Sequence, residues 1–398
     1  MHLGSPKRPC QPPILAIVEA MSVYCYLKHF PLSGSPYSEG VTKAVHGLAQ
    51  GLVQQGETVT IWGEGPESGT RMSEFGYRIE VFSAPNTHPS FKISPDLMQA
   101  IQTQLKPGDR VILNGIFHRS VYGLSKHLKQ LGIPYVVAPH DPYHPAIFQK
   151  NKLIKTVYWH LKEARMLRSA AAVQVLDTRH AEWLARRGIP TPTIALPNGF
   201  DATDVMPESQ LVWRQNIIPK LYFLGRMDAY NKGLDLLIEA IAQIVPKQPL
   251  QLTLQGPDWG DRAELQAQVK RLGLEDMVTF LEADYEHSSA ELAMQHDIFC
   301  VPSRFEGFSL SALEAMLAGR VILISSIAGL APHVEASACG VVVEPTIENI
   351  RDGIWDLLKY RDRWPISGER GRQYALDRLQ WSAIAQQALQ QWNALKSF

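Results

Sequence analysis

Two carboxylates and two cations stand where they could do chemistry together. Arg226 follows Gly225 at the end of an apolar run, and Lys232 precedes Gly233. A guanidinium fork and an ammonium point charge suit a diphosphate, one through bidentate bonds and the other through plain attraction. Solvated loop charges are the plainer reading of both. Glu306 lies in the polar loop 303–308 and Glu314 in the apolar-periodic stretch after it. Glu306 suits a sugar hydroxyl, or an ion pair with Arg304. Glu314 suits a second diol such as a ribose, or a capping bond with Ser311. His140 ends another apolar run, where an imidazole could bond a sugar hydroxyl or a developing charge; His118 and His144 compete with it. Phe305 and Phe308 read as packing residues.

The elements that must position these groups follow from the pattern. Residues 297–302 read as a buried strand closed by proline, 309–318 as a helix stopped at Gly319, and 321–324 as another strand. In a parallel sheet the intervening loop lies at the carboxyl end of the strand, where ligands bind. The adjoining helix start turns free N–H groups toward an anion.

With 398 residues, two domains are expected. Lys+Arg and Asp+Glu are equal at 39 each, so charge balance gives no argument for nucleic acid. Cys10, Cys25, Cys300 and Cys339 show neither metal-ligand nor disulfide spacing, which fits a reducing, cytoplasmic setting. No run approaches a membrane span, and Glu19 interrupts the run that would have to serve as a signal peptide.

Residues 1–13 read as a flexible opening and 14–18 as the first strand. A Gly/Ser/Pro loop reaches Gly40, with a helix over 41–55. Strands follow at 58–62, 79–82, 110–113, 135–138, 172–176 and 193–196, with helices between them. A Pro197-Asn198-Gly199-Phe200-Asp201 turn opens an irregular link. The alternation then restarts with strands at 221–224, 250–254, 277–281, 297–302, 321–324 and 341–343. The chain ends in helix over 376–398. This predicts an α/β protein of two doubly wound, Rossmann-like halves facing a central cleft. The divisions are 14–200, a linker at 201–218, 219–380, and a terminal helix at 381–398.

Residues 150–168 form a basic amphipathic segment. Leu153, Val157, Leu161 and Ala164 share one face, with Lys155 and Lys162 opposite. It reads either as a core-facing helix with a solvated basic back or as a helix lying on an anionic membrane.

Glu306-x7-Glu314 within PSRFEGFSLSALEAMLAG resembles the paired-glutamate motif of retaining GT-B glycosyltransferases of the family 4 type. Gly225-Arg226 with Lys232-Gly233 is similar to that family's diphosphate-binding pair. The turn at 197–201 resembles its interdomain signature, the strand end at Gly256 is similar to its glycine-bearing one, and Pro139-His140-Asp141 stands where its His-Gly element falls. The resemblance implies that Arg226 and Lys232 bind the donor diphosphate. It implies that Glu306, with Gly307, Phe308, Ser309 and Leu310, meets the donor sugar, that Glu314 holds the ribose, and that His140 assists. Gly40, Gly225 and Gly256 complete the donor set. It further implies transfer of a hexose from a nucleotide-diphosphate sugar to a hydroxyl acceptor with retention, no catalytic metal or other cofactor, and a last helix crossing back onto the first half. Two positions depart from the family: Ser38-Glu39 where it often has glycine, and Asp141 beside His140. A catalytically silent sugar-nucleotide binder is the alternative from another class. Peripheral contact with the inner face of a membrane through 150–168 accompanies either reading.

Overall fold

The computed structural model describes residues 22–33, 40–84, 90–213 and 216–395. The strand read at 14–18 and the Ser38-Glu39 departure lie outside them. The first described strand is β1 (Ser22–Tyr26), in a stretch that had read as loop. Its pattern is two-sided: Val23 and Cys25 enter one apolar cluster, Tyr24 and Tyr26 the other. A strand buried on both faces shows no polar alternation, and its tyrosines disguised it. The Tyr26 hydroxyl is satisfied by Glu64 at 3.2 Å.

The first sheet continues with β2 (Thr58–Gly65), β3 (Gly69–Met72), β4 (Arg78–Ser83), β5 (Arg110–Asn114), β6 (Tyr135–Ala138), β7 (Ala172–Val175) and β8 (Thr193–Ala195). Its order is β3-β4-β2-β1-β5-β6-β7-β8. Every pairing is parallel except β3 with β4. The largely exposed β3 is an antiparallel edge that the sequence reading lacked, because GTRM carries no apolar period.

The second sheet comprises β9 (Lys220–Leu224), β10 (Gln251–Gln255), β11 (Val278–Leu281), β12 (Ile298–Val301), β13 (Val321–Ser325) and β14 (Gly340–Val343). Its order β11-β10-β9-β12-β13-β14 is wholly parallel. It is the doubly wound order whose direction of growth reverses between the first and fourth strands, here β9 and β12. In the first sheet the reversal falls between β1 and β5. Runs such as IFCV and VILIS are buried throughout, as strands covered by helices on both faces require.

The terminal helix is not continuous from 376. Helix Trp364–Arg378 ends, Gln380 bridges to Phe200, and helix Trp381–Asn393 begins. That helix lies on helix Gly40–Gln54 of the first half. Glycine is required there: a Cβ on Gly47 would stand 2.0 Å from Trp381 Nε1, and one on Gly51 would stand 2.3 Å from the Trp381 carbonyl oxygen. Gln391 adds bonds to the backbone of Ala195 at 3.0 and 3.2 Å.

Candidate functional site

The loops after β9 and β12 flank the reversal point of the second sheet, and the predicted residues gather there. Short helix Ala229–Lys232 is capped by Asp228, whose Oδ1 accepts the Asn231 N–H at 3.1 Å, and ends at Gly233 with φ 66°. A Cβ on Gly233 would meet the Pro302 carbonyl oxygen at 2.1 Å, so this turn sits hard against the exit of β12. The Phe305 N–H donates to the Asn231 carbonyl oxygen at 3.2 Å, tying the two loops together. The result brings Lys232 Nζ 2.7 Å from Glu306 Oε2, which also accepts from Ser303 Oγ at 3.3 Å. Arg304 is not the partner of Glu306. Its guanidinium makes a two-pronged pair with Asp235, both bonds 2.7 Å.

Arg226 stands at the end of β9, exposed, with its guanidinium 4.1 Å from the Trp259 ring centroid. Its placement depends on Gly256, whose φ is 144° and where a Cβ would lie 2.0 Å from the Gly225 carbonyl oxygen. No side chain fits between the ends of β9 and β10.

Phe308 is buried in the core of the second half, as a packing residue should be. Ser309 holds a left-handed backbone, φ 72°, at the start of helix Leu310–Leu317. His140 is left-handed as well, with φ 65°. Two non-glycine residues in sparsely populated conformations on facing loops mark a place where local strain is held by surrounding structure. The loops touch: a Cβ on Gly307 would lie 2.3 Å from the His140 carbonyl oxygen and 3.0 Å from Asp141 Oδ1. Gly40 faces Leu310, whose Cδ1 lies 3.9 Å from a Cβ built there.

His140 Nε2 lies 2.8 Å from Asn114 Oδ1, and Asn114 in turn donates from Nδ2 to the Tyr26 carbonyl oxygen at 3.1 Å. The proton is therefore on Nε2, and Nδ1 is an acceptor. Burial pushes this imidazole down to about 4, so at neutral pH it is an uncharged ring suited to accepting a hydroxyl rather than to countering negative charge. His144 is engaged elsewhere: its Nδ1 accepts the Ala146 N–H and its ring packs on Trp183.

The Asp141 carboxyl is pushed up to about 7. Burial is the main cause and the charge of Glu306 the second, opposed by Lys232, Arg226 and Lys155. Asp141 thus feels Glu306, Lys232 and Arg226 of the facing loops.

Glu314 is buried, and it is not capped by Ser311, whose Oγ donates to the Leu224 carbonyl oxygen at 3.2 Å. Its partner comes from the other half. Lys43 Nζ lies 2.6 Å from Glu314 Oε1 and 2.7 Å from Asp204 Oδ1. These carboxylates outweigh the cost of burial and raise the ammonium above its ordinary value. Lys43 was not among the predicted residues, and its only local signal is a place one turn after Gly40. A second clasp was also missed. Arg179 donates to the carbonyl oxygens of Ser326 and Ala328 at 2.7 and 3.0 Å, and His180 Nε2 donates to that of Ile327 at 3.2 Å.

Two doubly wound sheets clasped across a cleft, with loops of both reversal points facing each other, define the GT-B architecture. Residues 39–199 match the family described as glycosyl transferase 4-like domain, and residues 215–374 match glycosyl transferases group 1. Together these matches cover most of the chain, and it belongs to this glycosyltransferase family. Mannosylfructose-phosphate synthase of Agrobacterium fabrum is 25% identical over 418 residues, spanning 94% of this chain and 90% of that one. Phosphatidyl-myo-inositol mannosyltransferase of Mycobacterium tuberculosis is 27% identical over 220 residues, 52% of this chain and 56% of that one. The Anabaena HepE structure, solved with UDP and glucose, superimposes with a TM-score of 0.70 at 20% identity, covering 94% of this chain and all of that one. The protein is a transferase of glycosyl groups.

Proposed function

We propose that this enzyme transfers a hexose from a nucleotide-diphosphate sugar to a hydroxyl acceptor, with retention at the anomeric carbon and without a catalytic metal. The observation that carries the reading is the Lys232–Glu306 pair at 2.7 Å, beside Arg226 and facing His140 and Asp141. Arg226, Lys232 and the N–H groups opening helix Leu310–Leu317 would stabilise the charge that develops on the departing diphosphate. Those cations would supply what a metal supplies elsewhere, so transfer should survive a chelator. Glu306, held by Lys232 and Ser303, would accept a sugar hydroxyl. The Nδ1 atom of His140 would accept another from the opposite wall. Glu314 would hold the ribose with its free oxygen while Lys43 keeps the other. Retention is supported by the paired-glutamate motif of the family. The first half would receive the acceptor, while its Gly40 and His140 border the donor. The setting that goes with this reading is the cytoplasm, at the inner face of a membrane. It is supported by buried free thiols at Cys25, Cys300 and Cys339.

The test is donor turnover against UDP-, GDP- and ADP-sugars for the wild type and for Glu306→Ala, Arg226→Ala and Lys232→Ala, with the product's anomeric configuration read by NMR. Near-wild-type rates in all three variants would sink the assignment. Donor binding by calorimetry with no product from any acceptor would instead point to a silent binder. An inverted product would overturn retention alone.

A further inference from the structure

Segment 150–168 has one face covered and one bare. Trp159, Glu163, Ala164, Met166 and Leu167 turn inward and are buried. Trp159 packs edge-on against Tyr143 and Phe148, with ring centroids 5.1 and 5.8 Å away. Glu163 Oε1 accepts the Tyr143 hydroxyl at 2.7 Å and the Phe117 N–H at 2.9 Å. A widened π turn over Trp159–Glu163 joins helix Lys152–Tyr158 to helix Ala164–Ser169. It turns Trp159 and Glu163 toward the core and leaves Leu161 outside. The core-facing reading of Leu153, Val157 and Leu161 is therefore wrong, and only Ala164 of that face is buried.

The outer face carries Leu153 at 77% exposure, Ile154 at 70%, and Val157 and Leu161 at 49% each. Single exposed aliphatic residues need no explanation, but a row of four over successive turns does. Phe91, 42% exposed, stands alongside and stacks on Tyr158 at 6.2 Å. The charges around this row have one sign. Segment 150–168 contains Lys150, Lys152, Lys155, Lys162, Arg165 and Arg168, and its single carboxylate, Glu163, is inside the core. Lys162 Nζ lies 5.3 Å from the Phe91 ring centroid and 5.0 Å from that of Tyr122. The surface is thus an aliphatic ridge set among cations with no exposed acid on the segment.

We propose that this face docks on an anionic phospholipid bilayer, with Leu153, Ile154, Val157 and Leu161 at the acyl boundary and the lysines among the phosphates. Charge chooses the occupant. A second copy of the chain meeting this face across a two-fold axis would set lysines such as Lys150 and Lys152 against their own kind, whereas a phosphate-rich bilayer neutralises them. The placement bears on the cleft, because the segment begins soon after His140-Asp141 and the charge of Lys155 is felt at Asp141. Docking would set the mouth of the cleft beside the lipid. This last consequence rests on the glycosyl-transfer reading; the docking does not.

The experiment is flotation of the full chain with phosphatidylcholine vesicles and with vesicles containing 30% phosphatidylglycerol. It is run at low and high salt on the wild type, Ile154→Ser with Val157→Ser, and Lys150→Glu with Lys152→Glu. All four positions are exposed, so the variants should keep the fold, which circular dichroism checks. The expected result is binding to the phosphatidylglycerol vesicles at low salt only, lowered at least tenfold in both variants. Donor turnover in solution should stay as in the wild type. No flotation at low salt, or equal flotation of the variants, overturns the proposal. So does concentration-dependent dimer formation by the wild type without lipid that the variants abolish. Because turnover is measured separately, loss of vesicle binding leaves the transfer reading standing, and an inactive wild type that still floats bears on that reading alone.

Discussion

The two halves meet the cleft in different ways. The second half brings its chemistry on two loops, 225–233 and 302–309, each a few residues long and each fed by a buried strand. Arg226, Lys232 and Glu306 all lie within one residue of a glycine, and the glycines at 233, 256 and 307 sit where other backbone comes too close for a side chain. The first half contributes one group at a time from separate elements: Lys43 from helix Gly40–Gln54, Asn114 from the end of β5, His140 and Asp141 beyond β6, Arg179 before helix His180–Arg186. The loop-built wall is suited to charge stabilisation on a leaving group. The scattered wall is suited to orienting and closing.

The sharpest way to break this contrast is at the second-half loops. Lys232→Ala and Glu306→Gln should each lower kcat by about 10² to 10³, the usual cost of removing one charge-stabilising partner. Steady-state kinetics checks it, and losses under tenfold would remove the special status of that wall. The next effect is on stability. Lys43→Ala leaves the buried Glu314 and the half-buried Asp204 without their shared cation, a change expected to cost on the order of 3 kcal/mol, because breaking a buried pair strands the remaining charge. Urea unfolding measures it, and an unchanged midpoint would mean that the clasp is unimportant. Gly256→Ala tests how tightly the second wall is built. Its Cβ would meet the Gly225 carbonyl oxygen at 2.0 Å and its backbone is left-handed. Roughly 2 kcal/mol of destabilisation is expected, together with weaker donor binding through a displaced Arg226.

The smallest effect sharpens the role of the first wall. Asp141 has a carboxyl raised to about 7, so it binds a proton in the folded protein that the unfolded chain has already released above its ordinary range. Its contribution to stability is present at acid pH and is lost as pH rises through about 7. An anionic diphosphate placed nearby favours the protonated form further. Donor affinity should therefore weaken above about pH 7 by up to tenfold per unit, and Asp141→Asn should flatten that slope. Calorimetric donor titrations from pH 6 to 9 decide it, and an unchanged slope in the variant would remove Asp141 from the donor's surroundings.

The second wall was readable because its residues are sequence neighbours. Strand, glycine, charge and helix follow one another, so local rules of turn and cap place Lys232 and Glu306 without knowledge of anything distant. Even there the partners were misjudged. The alternatives weighed were local, an ion pair of Glu306 with Arg304 and a capping bond of Glu314 with Ser311. The folded chain instead uses Lys232, 74 residues away, and Lys43, 271 residues away. Long-range partners are chosen by the whole field of charges, which short spacings do not encode. Strand β1 was missed because burial on both faces removed its alternation, and the π turn because a widened turn leaves the periodicity of the sequence unchanged.

Residue order alone was enough for the two α/β halves, for the reversal-point loops and for the family motif, since each is a local pattern of apolar period, glycine and charge. Folding alone decided that His140 is a neutral acceptor, that Asp141 faces Gly307, that Lys43 spans the cleft to Glu314, and that the aliphatic row of 150–168 is left bare. Each of these depends on which surfaces pack together. Packing sets burial and nearby charge, and those two quantities set both the protonation of a group and the choice of its partner.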